Sequence, residues 1–351
     1  MGMRKITRGW MVLLTAAVVL GSLALAFAVP SGAILEEARQ RYLNEAPMDW
    51  GEDDADVVDI GAALRPYRAL ASAALSDILP VNEISNLDTD INTVGRAPVE
   101  ANFTDTGYHD DTMIVEIQQL TQDNSIYHVA YIKLATASQL RTAVAGSLTD
   151  DRTSPASTLS RSVNAVVGIN GDFYSKVSGG YIVRQGQTLR KKVSDNYDLL
   201  VIDEKADFHL VLAGKDNQKN VLTELMQSHD LVNAFFFGPA LVMDGAVRDI
   251  PKEYGWNPYG QEPRAAIGQI APLTYAVVTV DGRIAESEGV TLPTLANFMA
   301  QIGCTQAYNL DGGNSSALIF HDKLLSIKDV EERSIHDIIY FASATEQGAA
   351  Q

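Results

Sequence analysis

Ala307-Tyr308-Asn309-Leu310-Asp311-Gly312-Gly313-Asn314-Ser315-Ser316-Ala317-Leu318-Ile319-Phe320 reads as an apolar strand, a polar glycine loop and a second apolar strand. Six small or polar residues lie between Leu310 and Ala317, more than a tight hairpin requires. Glycine allows a sharp turn and close approach of a ligand to the backbone. Successive N–H groups in such a turn form a concave anion site. Upstream, Leu292, Leu295, Phe298, Met299 and Ile302 fall on one helical stripe. Thr291 is placed to cap that helix and Gly303 to end it. The order is therefore helix, strand, site loop, strand.

The same texture extends in both directions. Apolar or alternating runs of strand length occur at 113–117, 127–134, 163–169, 199–202, 208–212, 240–243, 275–280, 307–310 and 317–320. Helical spacing is confined to 221–228 and 292–302 in this part of the chain. The expected class is α+β, a mostly antiparallel or mixed sheet with peripheral helices, forming one domain over 101–347. Two further strands end on a carboxylate beside glycine: Val166-Val167-Gly168-Ile169-Asn170-Gly171-Asp172-Phe173-Tyr174 and Val277-Val278-Thr279-Val280-Asp281-Gly282-Arg283. Asp244-Gly245, by contrast, reads as a plain hairpin turn. His109-Asp110-Asp111 reads as a polar turn and the lone Cys304 as a packing residue.

The chain has 351 residues and a net charge of -17. Residues 10–29 carry no charge and are long enough for a membrane span. Arg4, Lys5 and Arg8 precede them, so the positive-inside rule puts residues 1–9 in the cytoplasm and the bulk outside. The expectation is a single-pass signal anchor at the cell membrane, or a cleaved signal peptide and secretion, since Ala26-Phe27-Ala28 fits a cleavage site. Residues 30–100 read as a helical stalk or linker. The remainder carries 24 Lys and Arg against 44 Asp and Glu, about -20, which disfavours nucleic acid as a partner.

In so acidic a chain the arginines are informative. Arg184 follows Gly179-Gly180-Tyr181-Ile182-Val183, Arg264 precedes an apolar run, Arg283 follows a strand, and Arg333 lies in Glu331-Glu332-Arg333-Ser334. A guanidinium matches phosphate oxygens in bidentate fashion, so a convergent pair of arginines makes a phosphate pocket. Arg190-Lys191-Lys192 reads as a solvated loop. No Gly-x-Ser-x-Gly elbow, His-Glu-x-x-His, P-loop or Cys-x-x-Cys is present, and the six histidines show no metal-ligand spacing. No cofactor or metal is therefore assigned.

Read together, five motifs resemble the phosphodiester glycosidase family, over about residues 108–341. They are Ile169-Asn170-Gly171-Asp172-Phe173-Tyr174, Phe237-Gly238-Pro239-Ala240-Leu241-Val242, Pro263-Arg264-Ala265-Ala266-Ile267-Gly268, Val280-Asp281-Gly282-Arg283 and the stretch from Tyr308 to Ser316. The family includes the lysosomal uncovering enzyme and many exported bacterial relatives. Two positions depart from its usual pattern: Ala265 stands where threonine is usual, and Asn314 where a third glycine is usual.

The resemblance implies hydrolysis of a sugar-1-phosphodiester at the glycosidic bond, with a substrate of cell-envelope or extracellular-polysaccharide type. The leaving phosphate monoester is a weak base and needs charge stabilisation more than strong protonation. Arg264 and Arg283, with the amides of Gly312 and Gly313, are the candidates for that role. A carboxylate must activate water or steady an oxocarbenium-like sugar. Asp311 and Asp172 lead there, with Asp281 and Glu286 behind them. Asn170, Tyr174, Arg184, Asn309, Ser315, Ser316 and Arg333 are expected to contact substrate. Two other classes compete: a non-catalytic glycan-binding or polysaccharide-assembly protein, and a divalent-metal phosphodiesterase using Asp172, Asp281 and Asp311.

Overall fold

Alternating residues of long strands face two ways, so each sheet needs cover on both sides. The computed structural model describes residues 90–344. In chain order its main elements are β1 (Met113–Gln122), β2 (Ser125–Leu134), β3 (Leu140–Val144), α1 (Ala156–Ser162), β4 (Val167–Asn170), β5 (Tyr181–Arg184), β6 (Gln187–Lys191), β7 (Leu199–Asp203) and β8 (Phe208–Val211). There follow α2 (Lys215–Ser228), β9 (Leu231–Phe236), β10 (Ala240–Met243), β11 (Arg264–Ala271), β12 (Thr274–Val280), α3 (Leu292–Gln301), β13 (Gln306–Asn309), β14 (Leu318–Phe320) and β15 (Asp337–Phe341).

Three antiparallel sheets result. The largest runs β1-β2-β12-β11-β13-β10, extended at either edge by short strands. The second is β8-β7-β9-β5-β6, and the third places β14-β4-β15-β3 side by side. One face of the largest sheet (Ala130, Ile132, Ile267, Val277, Tyr308) packs against both smaller sheets, which contribute Leu200, Ile202 and Phe235 on one side and Ile169, Leu318 and Ile339 on the other. Each smaller sheet is closed on its second face by one helix. Leu222 of α2 joins Val183, Val201 and Ala234, and Leu159 of α1 joins Ala143, Ile319 and Ile338. On the largest sheet α3 does the same work: Phe298 stacks on Tyr127 at 4.2 Å between centroids. Burial of such side chains stabilises by roughly 1.5–3 kcal/mol each.

The expected α+β class, antiparallel sheet and peripheral helices are what the described residues form. The 3.6-residue stripe and Thr291 cap are also observed, with the Thr291 Oγ1 accepting from the Thr294 amide at 3.2 Å. Asp244 and Gly245 both take positive φ (52° and 78°) in the turn joining β10 to Ala246–Val247. Asp110 accepts from the Thr112 and Met113 amides, which makes its segment a turn, and Cys304 is buried. Other expectations change. Residues 163–166 are not strand, because α1 occupies Ala156–Ser162 and Val163 serves as its C-cap. Arg190 and Lys191 belong to β6 instead of a loop. Asn92 and Arg96 already join the domain, Asn92 through the Val144 amide and Arg96 through a bridge to Ser343.

The membrane placement is corrected. Among the described residues no helix is long and apolar enough to cross a membrane. The stretch 10–29, on which the anchor rested, and residues 30–89 of the expected stalk lie outside the described residues.

Candidate active site

The site forms where strand ends from different sheets meet. β4 ends at Asn170 in one sheet and β13 ends at Asn309 in another. Their continuations are joined by the Asp311 amide donating to the Gly171 carbonyl at 3.3 Å. Asn170 clamps the junction: its Nδ2 donates to the Asp311 carbonyl at 2.7 Å and its Oδ1 accepts from Ala317 N at 3.0 Å. From the third direction comes the start of β11, where Gly313 N donates to Pro263 O at 2.7 Å and Leu310 N to Ala265 O at 2.8 Å. Glycine is required twice here. Gly313 takes φ +58°, and a Cβ on Gly312 would lie 2.9 Å from the Pro263 carbonyl oxygen.

Arg264, Arg283, Asp311, Gly312 and Gly313 line one cleft of about 180 Å³ with Phe237, Trp256, Asn257 and Glu262. Arg264 is buried and, among the described residues, has no carboxylate partner at ion-pair distance. Its Nε donates to Val290 O, and its two terminal nitrogens to the carbonyls of Trp256, Asn257 and Gly260. Burial lowers its pKa to about 10, against the pull of Glu262, so it remains a cation at neutral pH. The carbonyls of Val290 and of loop 256–260 thus hold the guanidinium without an ion pair, leaving its charge available to an anion. Arg283, itself at φ +63°, is tied to Glu262 Oε2 at 2.6 Å and to Asn314 Oδ1 at 2.6 Å. Asn314, the departure from the family's glycine, is therefore a partner of Arg283. Ala265, the other departure, is a fully buried core residue opposite Thr279.

Asp311 is a half-buried carboxylate of the cleft and, unlike Glu262, is not paired with Arg283. Burial pushes its pKa up to about 6; Ser315 and Arg333 pull it down and Asp172 pushes it further up. Ser315 in turn accepts from Arg333 at 3.2 Å.

Behind the cleft lies a charge cluster shared by two sheets. Arg184, fully buried, donates from Nη2 to Asp172 Oδ1 and from Nε to Asp337 Oδ2, each at 2.8 Å. It also bonds the Val183 and Ala234 carbonyls and lies 4.0 Å over the Phe235 ring. Burial alone would lower its pKa, but the two carboxylates more than offset this and raise it. Asp172 is further held by the Tyr174 and Phe236 amides at 3.1 and 2.7 Å. Burial pushes the Asp337 carboxyl well above the usual range, with Arg184 opposing and Asp172 reinforcing the rise. Gly171 is obligatory beside it, since a Cβ there would lie 2.5 Å from Asp337 Oδ1.

The structure separates the predicted residues. Arg264, Arg283, Asp311, Gly312 and Gly313 converge. Asn170, Ser315 and Asn309 shape the loop; Asn309 is buried and donates to Gly238 O at 2.7 Å. Ser316 and Tyr174 are buried, and Arg184 and Asp172 are engaged with each other. Arg333 is exposed and lies 5.9 Å over the Phe173 ring. Asp281 is corrected to a structural role: it pairs with His128 at 2.9 Å and accepts from Ile327 N at 2.6 Å, and it does not line the cleft. Glu286 is exposed in the turn after β12, also away from the cleft lining. Asp172, Asp281 and Asp311 consequently form no metal-ligand group among the described residues. The sequence reading assigned no role to Asp337, Glu262, Phe237 or Trp256. Trp256 had a signal, an aromatic residue between Gly255 and Asn257-Pro258, and it stacks on Phe237 at 4.9 Å and 10°. A larger groove of about 680 Å³ runs through Asp198, Arg248 and Tyr254. Both carboxylate oxygens of Asp198 are consumed by the Ala213 and Ala240 amides, so the smaller cleft is the better candidate.

The antiparallel α+β fold thus presents the Asp311 carboxylate and the Arg264 and Arg283 guanidinium groups in one cleft. Comparison with known sequences makes this specific: the phosphodiester glycosidase family matches residues 163–342, and the chain belongs to that family. Over 122 residues the chain is 33% identical to the SPbeta prophage-derived uncharacterized protein YomE of Bacillus subtilis, covering 34% of this chain and 19% of that protein. The fold is similar to the zebrafish N-acetylglucosamine-1-phosphodiester alpha-N-acetylglucosaminidase catalytic domain auto-inhibited by its pro-peptide, with TM-score 0.53 and 17% identity over 77% of this chain and 99% of that one. A hypothetical protein from Synechocystis is similar at TM-score 0.47 and 17% identity, over 66% of this chain and 62% of that chain.

Proposed function

We propose that the chain hydrolyses the glycosidic C–O bond of a sugar-1-phosphodiester, with a cell-envelope or extracellular polysaccharide as the source of substrate. The observation that carries this is the unneutralised Arg264 guanidinium in the same cleft as Asp311. Arg264 binds the phosphodiester and stabilises the charge that develops on the departing phosphate. Arg283 and the Gly312 amide complete the anion site, while the Gly313 amide is held by the Pro263 carbonyl and only shapes the turn. The paired Trp256 and Phe237 rings offer an apolar face to the C–H side of a pyranose. Asp311, as carboxylate, activates water or steadies the oxocarbenium-like sugar. Asp172 is a positioning residue on this reading, because Arg184 and two amides occupy its oxygens.

The test is incubation of the purified chain with a glycosyl-1-phosphodiester panel in 18O-water. Free sugar carrying the label at its anomeric oxygen is expected. Label on phosphate would instead mean P–O cleavage, and binding without turnover across the panel would mean a glycan-binding protein. Arg264→Ala and Asp311→Asn should each lower the rate at least ~100-fold. Near-normal turnover in either variant removes that residue from the mechanism.

A further inference from the structure

A second cluster lies at the other end of the β7/β9 sheet. Asp203, the last residue of β7, is buried, and His209 of β8 and His229 after α2 converge on it. Asp203 Oδ2 is 2.9 Å from His209 Nε2 and 3.0 Å from His229 Nδ1. Asp203 Oδ1 is not available to either ring, since it accepts from the Lys205 and Asp207 amides at 2.8 and 2.9 Å. His229 Nδ1 is buried yet has no hydrogen-bond partner, although a carboxylate oxygen stands 3.0 Å away. His229 Nδ1 thus faces carboxylate oxygens without making a hydrogen bond to them, the placement of a metal-ligating nitrogen. Glu204 Oε1 stands 3.6 Å from the same nitrogen.

The geometry points to a zinc site formed by Asp203, His209 and His229, with Glu204 or water in the fourth position. Two imidazole nitrogens and one carboxylate oxygen suit Zn²⁺, whereas Ca²⁺ and Mg²⁺ demand oxygen ligands. Bonds of about 2.0 Å in a tetrahedron separate the donor atoms by roughly 3.3 Å, so the observed 2.9 and 3.0 Å need only a slight opening. The amides on Asp203 Oδ1 fix its free oxygen toward the two rings, the outer-shell orientation such sites use. The sequence concealed this, because the histidines stand twenty positions apart and only the antiparallel β7–β8 pairing and the return from α2 unite them.

The metal would staple the β7–β8 turn to the start of β9. The candidate cleft meets β9 at its far end, where Phe236 N holds Asp172. Five residues separate Leu231 from Phe236, roughly 16 Å of strand. The staple is thus structural, and independent of the proposed hydrolysis.

The test uses untagged full-length protein stripped with a chelator and titrated calorimetrically with ZnCl₂. One equivalent should bind at roughly micromolar affinity or better, and saturating zinc should raise the melting temperature by about 5 °C or more. His209→Ala and His229→Ala, both on partly exposed rings, should each weaken binding at least ~10-fold. Co²⁺ should give the intense visible bands of tetrahedral coordination in the unmodified protein, a readout that survives if a variant fails to fold. Absence of saturable binding, unchanged affinity in both variants, or equal response to Mg²⁺ would each overturn the site and leave an Asp–His hydrogen-bond network only.

Discussion

Removing Arg184 is the sharpest test of how the site is held together. In Arg184→Met the side chain keeps most of its bulk over Phe235, but Asp172 and Asp337 lose their shared cation. Breaking a buried ion pair by deleting one partner costs roughly 3–5 kcal/mol, since the surviving charges are left without compensation. At roughly 2–4 °C per kcal/mol for a domain of this size, the melting temperature should fall by about 6–20 °C. The loss should depend on pH in a definite direction. Asp337 already has its carboxyl raised by burial, with Arg184 opposing that rise. A folded pKa above the unfolded value of about 3.9 gives stability that is complete below that value and lost as pH rises through the folded value. Without Arg184 the rise is unopposed, so at pH 5 the carboxyl is neutral and tolerated, whereas at pH 8 it must either ionise beside Asp172 without a cation or hold its proton against the solution, and both cost stability. The difference in melting temperature between variant and parent should therefore be larger at pH 8 than at pH 5. Thermal unfolding followed by circular dichroism at both pH values measures it, and Arg184→Met with Asp337→Asn should recover part of the loss. A variant within ~2 °C of the parent at pH 8, or a larger loss at pH 5, would refute the reasoning.

Four further outcomes follow from the same geometry. If Asp311 acts as a carboxylate, kcat/KM should fall as pH drops through about 6, the value to which burial raises it. Arg333→Met should move that limb to higher pH, because Arg333 is one of the groups pulling Asp311 down; an unmoved limb assigns the titration elsewhere. Asp281→Asn should cost about 1–3 kcal/mol in urea denaturation through the lost His128 pair, with turnover by the folded protein changed less than ~3-fold; a ~100-fold fall in rate would return Asp281 to the mechanism. Phe298→Ala should cost about 3–5 kcal/mol by opening a void against Tyr127, again read from denaturant midpoints, and a change below ~1 kcal/mol would show that α3 is not a necessary cover for its sheet.

α3 was readable because its apolar stripe recurs at helical spacing, and β2, β12 and β13 because they are apolar runs of strand length, buried almost throughout. β5, β9, β11 and β15 lacked that clarity. Buried polar residues interrupt their apolar runs: Arg184 in β5, Asn233 in β9, Arg264 and Gln269 in β11, and Asp337 in β15. The same property hid Asp337. It opens β15 in the run Asp337-Ile338-Ile339-Tyr340-Phe341, where a carboxylate looks like the solvent-facing start of a strand. It is buried only because a different sheet brings Arg184 against it. The cleft residues were legible for the opposite reason. A backbone that must turn beside a ligand needs glycine and short polar side chains, and those stand out in one dimension. Asp281 shows where that inference stops. Asp281-Gly282-Arg283 has the same strand-end form as Asp311-Gly312-Gly313, yet its carboxylate turns inward to His128 while Arg283, at positive φ, turns to Glu262 and Asn314. A strand end fixes where a carboxylate sits, but its side of the sheet depends on which neighbour offers a proton, and that neighbour is 153 positions away in the chain.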